Sequence, residues 1–451
     1  MISGRKRVLF ALLVIFACGT SVRSEGTDAP DDTIADLVTF RQDPFFCIRG
    51  DVDARLIPED TQLDMQRRYD LAYFSPWRQT RPKHGIESVL WGFGAYEKKK
   101  IFGENRRPRA SGWFEKQRGN SNESSFGTED RRAIAVCEAD LRVFPTSDPL
   151  FYDFGIPGEG YPFDYVQNSS VKPGEPLFVS HRSSDGAWAF VDTPNAYGWI
   201  DIRRIALMTS ADVGMFMVSR RAIVLTDGLP LTGEDGAYLG RGKTGTQLPL
   251  LGTDLLRGRL RVRVPLRHHD GTLRIGSAGL PMSDAVCAPL PLTQWNGAVV
   301  AAAFLAEPYG WGGLNGRRDC SALVMDFFIP FGIWMPRNSR EQAGSGRRID
   351  LAGKSFEEKE RTLAEEGIPF RTLVAMPGHI MLYIGEQHGR PLVLHNMWGV
   401  RTIEHGRSGR RIVGKSVITT LAPGMELPER DGLLSDRITG LTLVGEPSPG
   451  D

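Results

Sequence analysis

Residues 307–328 read Glu307-Pro-Tyr-Gly-Trp-Gly-Gly-Leu-Asn-Gly-Arg-Arg-Asp-Cys-Ser-Ala-Leu-Val-Met-Asp-Phe-Phe328. A Gly-rich loop runs into an acidic residue, then a cysteine, then an apolar run. Asp319 is a good N-cap, and residues 321–328 predict a buried helix. Cys320 then falls in the first helical turn, where the dipole and the free backbone N–H groups favour an anion. The thiol pKa is therefore expected to fall. Such a cysteine on a Gly-rich approach suits a nucleophile. The competing reading is a buried structural cysteine.

Outside this stretch the chain has room, at 451 residues, for roughly three domains. A hydrophobic share of 41% and a charged share of 24% are those of an ordinary globular protein, neither disordered nor membrane-embedded. The net charge of +1 gives no support to a nucleic-acid partner, and Lys98-Lys-Lys100 reads as solvated surface. Abundant Gly (51) and Pro (29) favour turns and short strands over long helices.

The N-terminus reads as a signal peptide, residues 1–24. Arg5-Lys6-Arg7 precedes the apolar run 8–17, which is too short to span a membrane stably. The competing reading is a retained membrane anchor. Two processing routes stay open: cleavage after Ser24, or acylation of Cys18 within Val14-Ile-Phe-Ala-Cys-Gly19, which is similar to a bacterial lipobox. The expected location is the periplasm, with an outer-membrane lipid anchor if Cys18 is acylated. Without Cys18, four cysteines remain in an oxidising compartment. If Cys320 stays free, at most one disulfide forms among Cys47, Cys137 and Cys287, with its pairing open.

Residues 25–130 read as an acidic linker followed by an irregular N-terminal segment. Within it residues 59–73 predict a helix, with Met65, Tyr69 and Tyr73 on one face, ended by Phe74-Ser-Pro-Trp77. Residues 110–127, rich in Gly, Asn and Ser, predict a loop. Short strands follow, divided by turns. Ala133-Ile-Ala-Val136, Leu177-Phe-Val-Ser180, Trp188-Ala-Phe-Val191 and Gly198-Trp-Ile200 form a small β-barrel over 131–209, with a hairpin at Asp185-Gly186. Ala222-Ile-Val-Leu225, Thr246-Gln-Leu-Pro-Leu250, Leu260-Arg-Val-Arg-Val264 and Leu273-Arg-Ile275 form a second over 210–288. The remainder, 289–451, begins with an apolar helix over 296–305. It continues through the cysteine helix, a polar loop or helix start at 336–342 and a charged helix at 357–366. Strands over 379–385 and 391–397 complete an α+β layout.

A cysteine nucleophile needs a base within reach, and the base needs an orienting partner. Of the eight histidines, His84, His181, His268, His269, His388 and His405 read as surface residues. His379 and His395 lie instead in apolar strands. A hairpin centred on Gln387 sets them directly opposite each other on one sheet face. A shift of one residue places Asn396 there instead, so the third member of the site stays open between the two. Cys320, His379 and His395 could also bind zinc, but no pair has the short spacing of common zinc motifs.

Several ordered motifs carry a resemblance. They are Pro308-Tyr-Gly-Trp-Gly-Gly313, Asp319-Cys-Ser321, Pro336-Arg-Asn-Ser339 with Gln342, Pro377-Gly-His-Ile-Met-Leu-Tyr-Ile-Gly385 and Leu394-His-Asn396. Together the chain resembles the NlpC/P60 cell-wall peptidases, in the exported form with an N-terminal stabilising segment and two bacterial SH3-like domains. Arg142-Val-Phe-Pro-Thr146, Phe163-Asp-Tyr-Val-Gln167 and the run from His181 to Trp188 are similar to the first SH3-like domain. The resemblance implies a papain-like catalytic domain, no cofactor, and cleavage of the γ-D-glutamyl–diamino-acid bond, usually to meso-diaminopimelate, in peptidoglycan stem peptides. It implies Cys320 as nucleophile, His379 as base and His395 as orienter. Tyr309 is implied beside the oxyanion, with Asp319, Ser321, Asn338 and Ser339 at or near the substrate. It further implies a preference for a free N-terminal L-alanine, although Asn338 stands where some members carry an ammonium-pairing aspartate. Tyr197 is a candidate for the cleft wall, and Glu138 or Asp140 is a candidate to meet the ammonium by charge, the competing reading being solvated strand ends. The expected partner is peptidoglycan or its stem peptides, and the expected state a monomer. A non-catalytic wall-binding protein, or an amidase or acyltransferase on a papain-like scaffold, are the alternatives.

Overall fold

Four sheets carry most of the described chain, which in this computed structural model is residues 33–446. The leader, Cys18 and most of the acidic linker lie outside the described residues. Seven strands over 131–207 form one antiparallel unit around Ala133, Leu141, Val179, Val191 and Ile200. A five-stranded sheet and a two-stranded ribbon over 221–287 form the next, around Val224, Leu248, Val262 and Leu280. The last is a six-stranded antiparallel sheet. Its order is Gly346–Asp350, Gly440–Val444, Thr372–Met376, His379–Gln387, Arg390–Glu404, Arg407–Thr419.

The helix Cys320–Phe328 lies on this sheet. Leu323, Val324, Phe327 and Phe328 are buried in one cluster with Ile380, Leu382 and Ile384 of the neighbouring strand. Burying side chains of this size contributes about 1.5–3 kcal/mol each, so the seam holds the first helical turn firmly against the strand that begins at His379. The apolar helix predicted over 296–305 forms as Gln294–Ala302, started by Thr293, whose hydroxyl accepts from Asn296 N at 3.1 Å.

The helix Glu59–Tyr73 forms as its periodicity predicts. A further turn, Ser75–Arg78, follows it, with Pro76 in the first-turn position that tolerates a missing N–H. The stretch 110–127 departs from its loop expectation, because Trp113–Asn120 is helical. Trp113, Phe114 and Gln117 are buried on one face, and both rings meet Phe144 edge-on. This aromatic packing outweighs the turn-forming composition. The N-terminal segment is tied to the last domain by Gln62, which donates to the carbonyls of Leu290 and Phe331 at 2.6 and 2.9 Å.

The hairpin carrying the two histidines turns at His388-Gly389, with both φ positive (51° and 71°), not at Gln387. Gln387 pairs with Arg390, and a bulge between Tyr383 and Gly385 shifts the register so that Leu382 pairs with Leu394. The bulge belongs at Gly385, where φ is +115° and a Cβ would stand 2.4 Å from the Cys47 carbonyl oxygen. His395 is therefore one step past Leu394 while His379 is three before Leu382, so the two are diagonal on one face and not directly opposed. Cys47, Cys137, Cys287 and Cys320 are all free thiols, and the disulfide for which the count left room does not form.

Arg318, 1% exposed at the side chain, joins the second β-unit to the last domain. Its Nε donates to Asp326 at 2.7 Å, and Nη1 donates to Asp227 and Glu307 at 2.6 and 2.7 Å. Removing one partner of a buried ion pair strands the others. Arg318→Met should lower unfolding stability by about 3–5 kcal/mol in chemical denaturation. Glu234→Gln, which breaks the exposed pair with Arg261, should shift it by less than about 1 kcal/mol. Equal small effects would show that the cluster does not hold the domains together.

Candidate active site

Asp319 starts the cysteine helix as its N-cap, with Oδ1 accepting from Ala322 N at 2.8 Å. The same carboxylate takes Ser321 Oγ at 2.9 Å, Gly312 N at 3.1 Å and Arg337 Nη2 at 2.7 Å. The Arg337 guanidinium and these hydrogen bonds hold its pKa below the usual carboxylate range, against the effect of burial. Asp319 thus fixes three things at once: the helix start, the Gly-rich loop and the arginine. Arg337 went unassigned in the sequence reading, although the Pro336-Arg-Asn-Ser339 motif contains it. Its Nε reaches Ser169 Oγ of the first β-unit at 3.0 Å, and its Nη1 reaches Ser321 Oγ at 2.9 Å.

Cys320 is 8% exposed. Burial pushes its thiol up from 9.0 to about 12, with Asp319 adding to the rise, while Ile380 N–H, Arg337 and Ser321 N–H act the other way. This overturns the expected fall. A rise of that size corresponds to ~4 kcal/mol, more than the ~0.3–2 kcal/mol that a helix N-terminus supplies. The Cys320 thiol therefore rests protonated.

His379 is likewise neutral, pushed down to about 4 by burial and then by the nearby Arg437 charge. Its protonated nitrogen follows from a chain of hydrogen bonds. Thr419 Oγ1 donates to the Thr420 carbonyl at 2.8 Å, so its oxygen accepts from His395 Nε2 at 3.1 Å. That leaves His395 Nδ1 bare, to accept from His379 Nε2 at 2.8 Å. His379 Nδ1 is then the unprotonated base, on a ring that lines the same cavity as Cys320. Asn396, the other candidate third residue, instead donates Nδ2 to the Arg318 carbonyl at 2.9 Å. Thr419 carried no local signal, because only the register of the last two long strands brings it to His395.

Two cavities meet at Cys320. The larger, about 910 Å³, is lined by Asp319, Ser321, Arg337, Asn338 and Ser339 on one side and by Tyr197, Asp192 and His84 on the other. The smaller, about 320 Å³, is lined by His379, Trp398, Arg401, Arg410 and Arg437 among others, and Tyr309 and Trp311 border both. Asn338 reaches the larger cavity as the N-cap of Ser339–Gln342, its side chain accepting from Glu341 N at 3.0 Å. Tyr309 keeps its phenolic proton, its pKa raised by burial and by Cys320. Glu138 and Asp140 do not reach Cys320. They line a separate cavity beside Gly316, where Glu138 pairs with Lys243 at 2.9 Å.

The first β-unit helps to build the cleft. Gly312 and Gly313 have φ of +59° and +91°, and a Cβ on either would stand within 2.6 Å of Gln167 or Ser170. Only glycine lets the loop lie this close. Phe163 of the same unit stands 5.4 Å from Trp311 and 5.5 Å from Trp398, ring to ring.

The relay and the neutral base give two tests. Thr419→Val keeps the side-chain shape but removes the hydroxyl. It should lower kcat by ~10-fold or more, within the ~10²–10⁴-fold that general-base catalysis contributes, with little loss of thermal stability. An unchanged kcat would break the tautomer assignment. A base held down to about 4 is still unprotonated at pH 5, so kcat/KM should fall only as pH drops through about 4. An acid limb near the ordinary imidazole value would contradict this.

Comparisons with known proteins bear on the family and the fold. The NlpC/P60 family model matches residues 306–406, and the N-terminal stabilising domain of NLPC_P60 proteins matches 7–126. SH3 domain models of the SH3b1 and SH3b2 types match 149–201 and 216–254. A solved NlpC/P60 endopeptidase from Photobacterium damselae subsp. piscicida is 26% identical with a TM-score of 0.81, over 90% of this chain and 98% of that one. An NlpC/P60 family protein from Bacillus cereus ATCC 10987 is 18% identical with a TM-score of 0.46, over 69% of this chain and 98% of that one. No curated protein matches. The chain belongs to the NlpC/P60 family, with an N-terminal stabilising domain and two SH3-like domains ahead of its catalytic domain.

Proposed function

We propose that this cell-wall peptidase is a cysteine endopeptidase cutting the γ-D-glutamyl–diamino-acid bond of peptidoglycan stem peptides, with Cys320, His379 and His395 as its catalytic set. The observation that carries this reading is the hydrogen-bond chain from Thr419 through His395, which leaves His379 Nδ1 as a free base in the cavity that Cys320 lines. As Cys320 Sγ attacks the γ-carbonyl carbon, His379 Nδ1 takes its proton. The C–N bond then breaks and His379 returns the proton to the leaving amine. Water, deprotonated by His379, releases the acyl group from the thioester. Tyr309, kept protonated, is a hydroxyl donor for the oxyanion.

The acyl part occupies the larger cavity. The D-glutamyl α-carboxylate meets Arg337 and Ser321, and Asn338 and Ser339 border the residue before it. A free N-terminal alanine puts its ammonium near the carboxylates that line this cavity, Asp192 and Glu341. These stand in for the charge that Asn338 lacks. A substrate of this kind fits an exported, wall-facing enzyme.

Two measurements test the reading. Cys320→Ala should keep the fold and release no L-Ala-D-Glu from L-Ala-γ-D-Glu-meso-diaminopimelate by mass spectrometry, and retained cleavage would sink the mechanism. N-acetylation of the alanine removes the ammonium and should lower kcat/KM by roughly 10-fold, the worth of a charged hydrogen bond. Equal rates for both peptides would remove the free-alanine preference while leaving the bond assignment intact.

A further inference from the structure

The smaller cavity has a charge pattern that the mechanism does not use. Arg401, Arg410 and Arg437 all line it, and Asp431 is the one carboxylate among its lining residues. Three guanidiniums against one carboxylate leave an excess of positive charge. None of the three arginines makes an ion pair within 4.0 Å among the described residues, whereas Arg318 pairs with three carboxylates and Arg337 with Asp319. Arg401 and Arg410 are cross-strand partners, which places like charges side by side on the two long strands. That is unfavourable unless an anion lies between them. Burial and the neighbouring arginines hold the Arg410 pKa down, as burial and Arg401 do for Arg437.

The position of this basin gives its role. His379 lines the smaller cavity and not the larger, while Asp319, Ser321 and Arg337 line the larger and not the smaller. The base that took the thiol proton returns it to the leaving amine, so the leaving group lies on the His379 side. Asn396 is buried in the same cavity. Its Nδ2 is held by the Arg318 carbonyl and its Oδ1 has no hydrogen-bond partner among the described residues, leaving an acceptor for an N–H of the leaving residue.

We propose that Arg401, Arg410 and Arg437 form the leaving-group subsite and select a diamino acid that carries a carboxylate at its far end, with Asp431 meeting the ammonium on the same carbon. The inference rests on the endopeptidase reading above. A meso-diaminopimelate residue presents that carboxylate and ammonium together, and a free tripeptide end presents a second carboxylate. A lysine residue presents the ammonium alone, to a basin that repels it. Guanidinium groups suit the task because their forked N–H groups match carboxylate geometry.

The test uses the full chain and three peptides: L-Ala-γ-D-Glu followed by meso-diaminopimelate, by its side-chain amide, or by L-lysine. The unmodified enzyme should favour the free diaminopimelate peptide by roughly 10-fold or more in kcat/KM over both others. Arg401→Gln and Arg410→Gln should each bring that ratio down by several-fold, mainly through KM, and Arg401→Glu should shift it further towards the lysine peptide. Arg410 packs against Gly158 of the first SH3-like domain. If its variant does not fold, Arg401, which is exposed on its strand, carries the test. A ratio unchanged in the folded variants overturns the subsite. So does a native enzyme that cuts all three peptides equally well, and in that case the endopeptidase reading stands. A folded native enzyme that cuts none of them overturns both.

Discussion

The catalytic geometry depends on one buried guanidinium. Arg318 precedes Asp319 and Cys320 directly, and its side chain is satisfied by Asp227 of the second SH3-like domain and by Glu307 and Asp326 of the catalytic domain. Asp326 also takes Lys172 of the first SH3-like domain at 2.7 Å, so three domains converge on the helix that begins at Cys320. The carboxylates respond differently. Against burial, Arg318 holds Asp227 below its ordinary range, and Lys172 with Arg318 does so for Asp326, while burial dominates for Glu307 and raises it. The geometry favours reading all three as ionised partners, since each has an oxygen within 2.7 Å of the same cation. A buried cluster of this kind gains little net stability over an apolar one. What it provides here is register. The Arg318 carbonyl takes Gly310 N at 2.9 Å and Asn396 Nδ2 at 2.9 Å, which aligns the Gly-rich loop with the strand of His395.

Burial decides the protonation state that this frame presents. The first helical turn stabilises an anion, but the sulfur lies too far from water for that field to prevail, and His379 is desolvated just as strongly. Both partners rest uncharged. An uncharged pair avoids placing a thiolate and an imidazolium in an apolar pocket before substrate arrives. It also makes proton transfer part of the attack, so the tautomer of His379 becomes essential. The relay through His395 to Thr419 sets that tautomer using groups that are themselves almost fully buried.

Much of this was legible in the sequence because the signals were local. The N-cap at Asp319, the glycines of the approach and the two apolar histidine strands are each readable over a few residues. The parts that could not be read are those fixed by packing between distant segments. The Gly385 bulge lies against the Cys47 backbone, which leaves no room for a Cβ, and nothing near Gly385 says so. The helix at Trp113–Asn120 is held by Phe144 across a domain boundary. The direction of the thiol pKa was misread because helix position is visible in sequence and burial is not. Thr419 and Arg437 become site residues only once the sheet has brought their strands and loops round to His395 and His379.

The same distinction separates the two halves of the cleft. The half proposed to receive the acyl group is built from contiguous motifs around Asp319 and Arg337, closed by the first SH3-like domain through Ser169 and the pair Gly312-Gly313. The leaving-group half is built from the long strands Arg390–Glu404 and Arg407–Thr419 and the loop after them. Those strands extend well past the catalytic histidines, and length beyond what the relay needs gives room for another task. Arg401 on such an extension is exposed, whereas the charge of Arg437 acts on His379. In the proposed reading the chemistry is held by buried, mutually dependent groups, while selection of the leaving residue falls to arginines at the rim, of which Arg401 is exposed and Arg410 packs against the first SH3-like domain.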